Sequence, residues 1–110
     1  MEPPTKAVKR ALRELAARAH GEDLRRTLLP VSAAFDRWKA GELGSGDLAQ
    51  IIHEFHDGPA REVYKLYNGD HRWAVAYAIA KGILSVDAVP ADVLEYCRPA
   101  IEHFKEREEG

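Results

Sequence analysis

Cysteine occurs once, at Cys97, in a chain of 110 residues. A lone thiol excludes an internal disulfide framework and fits a reducing compartment. Long apolar runs are missing too: none approaches the roughly 20 residues a bilayer crossing requires. The opening Met-Glu-Pro-Pro-Thr-Lys lacks the basic-then-apolar plan of a signal peptide. A cytoplasmic protein without membrane contact is therefore expected. Neither sign of charge dominates. Sixteen Lys and Arg stand against 18 Asp and Glu, for a net charge of −2, so there is no global attraction to nucleic acid or anionic lipid. No convincing strand pattern occurs. A phosphate loop, a dinucleotide fingerprint, a nucleophile elbow and a Cys-x-x-Cys are all absent. Most enzyme classes with local signatures are set aside by these gaps.

What is present is apolar material at helical spacing. Hydrophobic residues make up 45% of the chain, enough for the core of one domain spanning residues 1–110. The expected architecture is all-α, a compact bundle of six to seven helical segments. Its centre is the stretch Arg72 to Leu84, in which Trp73 to Ala80 carries no charged side chain and four alanines alternate with Trp, Val, Tyr and Ile. Alanine favours helix and lets neighbouring helices approach closely. Asp70 as N-cap and Gly82 as a left-handed C-cap bound this helix, which is apolar nearly all round and so belongs inside. Trp73, Tyr77 and Ile79 are its expected core residues.

Upstream, Val8, Leu12, Leu15 and Ala19 form one seam, and Leu24, Leu28, Val31, Phe35 and Trp38 form a second, both at alternating spacings of four and three. Gly21 between them predicts a C-cap, and hence an antiparallel amino-terminal hairpin of two helices. Pro30 and Pro99 each fall within a seam that keeps its phase, which predicts prolines inside kinked helices rather than loops. Two connectors look alike: Gly41-Glu42-Leu43-Gly44-Ser45 and Gly82-Ile83-Leu84-Ser85. Each predicts a helix ended by glycine and a next helix capped by serine.

Four groups of residues are candidates for function. His53, His56 and Asp57 lie within about 100° of one another on a short amphipathic helix and could hold Zn or Fe. Otherwise no cofactor is expected. Arg61 follows Gly58-Pro59 at a helix start, where an anion would be favoured, although Pro59 removes one amide donor. Lys6, Lys9, Arg10, Arg13 and Arg18 make the first helix basic. Residues 1–40 carry nine Lys or Arg against five acids, and the rest of the chain seven against thirteen. Such a helix would contact nucleic-acid phosphates without selecting sequence. A helix-turn-helix at Ala78, Gly82 and Ser85 is excluded, because residues 83–97 hold three acids and no Lys or Arg. Finally, Leu24, Trp38 and Tyr64 are candidate interface anchors. With no catalytic constellation, the expected function is a small helical adaptor or regulatory module, self-associating as a homodimer and without catalysis of its own. The alternatives are a metal enzyme or sensor at His53, His56 and Asp57, and a nucleic-acid accessory protein using the basic helix.

Overall fold

Thr5 begins the first helix by accepting a hydrogen bond from the Val8 amide on its hydroxyl, at 3.1 Å. A computed structural model describes residues 3–109; Met1 and Glu2, part of the stretch read for a leader, lie outside the described residues. Those residues are helical without strands, forming α1 (Lys6–Lys39), α2 (Ser45–Asp57), α3 (Pro59–Tyr67), α4 (His71–Ala80) and α5 (Ala91–Glu109), with a 3-10 turn at Val86–Ala88 before α5. None of these helices is long and apolar enough to cross a membrane.

The amino-terminal hairpin is not formed. Residues 6–39 are one continuous helix of 34 residues, about 50 Å long at 1.5 Å per residue. Gly21 has no positive φ and sits in mid-helix, at a cost near 1 kcal/mol relative to alanine. Contacts on its carboxyl side offset that cost. Glu22 receives Arg25 Nε at 2.6 Å and Arg26 Nε at 3.1 Å, one turn on. Asp23 accepts from the Tyr67 hydroxyl at 3.0 Å, and Arg26 reaches the Gly82 carbonyl at 3.4 Å. The middle of α1 is thus tied to both α3 and the turn after α4. Pro30 and Pro99 do lie inside helices, α1 and α5.

The main core gathers Val8, Leu12, Leu15, Ala16 and Ala19 of α1, Val63 and Tyr67 of α3, most of α4, and Val93, Cys97, Ala100 and Ile101 of α5. Within α4, Ala74, Val75, Ala76, Ala78 and Ile79 are buried, as expected of the central helix. Trp73 is not: it lies across Phe104 and His103 of α5 and leaves its other face to solvent. Tyr77 is half-buried beside Phe104. Asp70 caps α4 through the Arg72 amide, at 2.9 Å.

The two similar connectors use one device. Gly41 and Gly82 have φ of +79° and +74°. In each, the residue after glycine donates back across the turn, Glu42 to the Arg37 carbonyl and Ile83 to the Ala78 carbonyl, the bonding of a Schellman motif. Ser85 caps the 3-10 turn through the Asp87 amide. Ser45 does not cap α2. Its hydroxyl accepts instead from the Trp38 indole at 3.0 Å, and Gly44 takes the cap position.

Candidate interaction surface

Beyond Ala19, the one buried residue of α1 is Ala34. The carboxyl half of α1 therefore runs out past the main core, with α2 folded back along it, as an arm on a molecule measuring 57 × 31 × 24 Å. The seam that the spacing assigns to this half has one helix against it where a core position would have several. Leu28, Phe35 and Trp38 of α1 and Ile52 of α2 each remain 36–42% exposed, and Leu29 is exposed as well. On α2, Leu48 is buried while Ile51 and Phe55 are half-buried. The arm is held rigid at its tip by the Trp38–Ser45 bond and by Phe35 set edge-on to Trp38, ring centroids 6.4 Å apart. At its base a groove between α1 and α2 is lined by Thr27, Pro30, Val31, Ile51 and Phe55.

The expected anchors fare differently. Trp38 and Tyr64 are exposed. Leu24 is half-buried and packs against the main core from its edge, so it has little surface left to offer. Leu28, Leu29, Phe35 and Ile52 were not singled out in the sequence. Leu28 and Phe35 share the heptad-like seam of Trp38, and nothing local distinguishes a seam residue that will be covered from one that will not.

The metal triad is not assembled. His53 Nε2 lies 3.1 Å from Asp57 Oδ2, one turn apart on α2, with both side chains largely in water. Among the described residues no three His, Cys, Asp or Glu side chains are placed to share a metal ion, so His56 does not complete the set. The reason is the arc: residues 53 and 57 stack along the helix, whereas residue 56 projects toward the apolar edge. Arg61 stands exposed in the first turn of α3. Its neighbour Glu62 lines a groove with Asp23, Asp70, Trp73 and Tyr77, where acids outnumber the single Lys65.

Lys6, Lys9, Arg10, Arg13 and Arg18 are all exposed on α1. Lys9 and Arg13 line a cleft toward α4 and α5 that the other three do not line. Cys97 is buried, and burial pushes its thiol up to about 11, with Arg72 opposing the shift. Its sulfur lies 3.9 Å from the Arg72 carbonyl, a weak donor contact. It is a core thiol and not a thiolate nucleophile. Tyr67 is buried on the face of His20, ring centroids 5.4 Å apart. Burial first, and the bond to Asp23 second, hold its phenol well above the usual tyrosine range.

No family model, curated protein or solved structure matches the chain.

Proposed function

We propose that this chain is a small helical interaction module that self-associates through the α1–α2 arm, without catalytic chemistry of its own. One observation carries the reading: Leu28, Phe35, Trp38 and Ile52 are half-exposed apolar side chains on a helix pair that projects from the core. A seam of heptad-like spacing with one helix against it matches two helices of a four-helix bundle, whose remaining pair a second copy would supply. Twofold pairing makes each contact twice. Antiparallel arms would set Arg37 and Lys39 at the end of one α1 near the partner's α2, which carries Asp47, Glu54 and Asp57 and no Lys or Arg. Fully burying such a side chain contributes about 1.5–3 kcal/mol. With some 40% of each left to cover, eight side chains in two copies contribute roughly 5–10 kcal/mol before the cost of association. The dimer is accordingly expected to be weak.

Light scattering or sedimentation over a protein concentration series, up to the millimolar range, tests it. A mass rising toward twice the monomer, and falling back to the monomer in Phe35→Ser or Ile52→Ser with helicity unchanged, is the expected result. A monomer mass for the wild type across the whole series would overturn it.

A further inference from the structure

The charges on the amino-terminal half of α1 sort into two sets by what they face. Lys6 and Arg10 are exposed and line no part of the cleft described next. Lys9 and Arg13, one turn apart, line a cleft of about 310 Å³ together with Pro4, Leu12, Asp70, His71, Arg72 and Tyr96. Three helices meet there: α1 supplies Lys9 and Arg13, the start of α4 supplies His71 and Arg72, and α5 supplies Tyr96. Lys9, Arg13 and Arg72 therefore outnumber the one carboxylate, Asp70, by three to one. That carboxylate is also occupied, since it caps α4 through the Arg72 amide.

The arrangement of Arg72 is the more telling part. Arg72 is half-buried, its guanidinium carbon over the Tyr96 ring at 4.6 Å to the centroid, while Nε donates to the Tyr96 carbonyl at 3.0 Å. A carbonyl and a π face fix the orientation of the group but leave its charge uncompensated. Among the described residues no carboxylate comes within ion-pair distance of Lys9, Arg13, His71 or Arg72. Arg25, Arg26 and Arg98, by contrast, each reach a glutamate one turn away on their own helix. An arginine whose geometry is set by groups other than an anion is pre-organised to receive one, and its fork suits the oxygens of phosphate.

We propose that this cleft binds a small phosphate-bearing ligand, with Arg72 as the oriented fork and Lys9 and Arg13 as supporting charges. The cavity lies at the lower end of the size range for small-molecule sites, about 300–1,000 Å³, which suits a phosphorylated metabolite better than a nucleic-acid backbone. A duplex would instead engage Lys6, Arg10 and Arg18 along the open face of α1 as readily as the cleft pair. The proposal is independent of self-association, because no residue of the arm lines the cleft.

Amide-resolved NMR titration at constant ionic strength tests it, with inorganic phosphate and pyrophosphate as probes and chloride as control. Saturable shifts confined to the residues around Arg13, His71, Arg72 and Tyr96 are expected, stronger for pyrophosphate. Lys9→Gln combined with Arg13→Gln should weaken pyrophosphate by about tenfold or more. The matched pair Lys6→Gln and Arg10→Gln removes the same charge outside the cleft and should leave affinity within about twofold. Arg72→Lys keeps charge but loses the fork, and should also weaken binding. Equal losses from the two double variants, shifts that spread along α1 or fail to saturate, or tighter binding of a short DNA duplex weakened equally by both pairs would each overturn the proposal.

Discussion

Tyr67 shows how one side chain can decide where an element sits. Its ring closes the core between α1 and α3, stacked on His20, and its hydroxyl donates to Asp23, two residues past Gly21. Tyr67→Phe keeps the ring and removes the bond, at an expected cost of about 1.5–3 kcal/mol, the range for hydrogen bonds to charged groups. The pH dependence has a definite sign. The folded phenol is held above the ordinary value near 10, so the unfolded chain loses its proton first as pH rises. The stabilisation is fully present below pH 10 and is lost as pH climbs from there toward the folded value. Denaturant melts of wild type and Tyr67→Phe should differ by a constant amount from pH 6 to 9 and converge above pH 10. A gap that stayed constant into alkali would show that the phenol holds its proton no more tightly in the folded chain than in the unfolded one. Nothing in the sequence around Asn68 announced this contact, because Asp23 lies 44 positions away. Burial of Val8, Leu12, Leu15 and Ala19 was legible from spacing alone, since every seam residue of a helix laid on a core shares its fate.

At the scale of elements, glycine marks the boundary between what local rules decide and what they do not. Gly41, Gly82 and Gly21 all follow an apolar seam and all read as helix ends. Two of them end helices in the left-handed conformation, and the third does not. Opposite responses to alanine follow. At Gly21 an added Cβ meets nothing within 4 Å, so Gly21→Ala is expected to stabilise by about 0.5–1 kcal/mol, the difference in helix propensity. At Gly82 space is equally open, but φ is +74°, and Gly82→Ala is expected to cost about 1–2 kcal/mol from backbone strain alone. Thermal melts of the two variants should move in opposite directions. A destabilised Gly21→Ala would mean that α1 breaks there in solution. The same comparison explains the error at Ser45: a serine after a glycine turn can cap, but Trp38 competed for its hydroxyl from the previous helix.

For the whole molecule, the gradient of charge along the chain folds into a pattern that the halves alone do not suggest. The basic amino-terminal face splits between open solvent and the Arg72 cleft, while α2, α5 and the groove beside Trp73 each carry more acids than bases. Exposed ion pairs contribute roughly 0–1 kcal/mol each, so association of two arms is expected to depend mainly on Phe35, Trp38, Leu28 and Ile52. Raising salt to about 0.5 M shortens screening to roughly 4 Å. The dimer should persist there with modestly weakened affinity. Complete dissociation at high salt would assign the affinity to Arg37, Lys39 and the acids of α2 instead.

Helical period, the cap at Asp70, the paired glycine turns and the central position of α4 were all determined by the sequence, since each depends on residues within one or two turns of each other. Tertiary structure alone decided that α1 runs through Gly21, that its second seam stands out from the core, and that Lys9, Arg13, His71 and Arg72 share one cleft. Each of these depends on which distant segment arrives. A propensity difference near 1 kcal/mol at Gly21 is outweighed once α3 and the Gly82 turn bind the residues just beyond it.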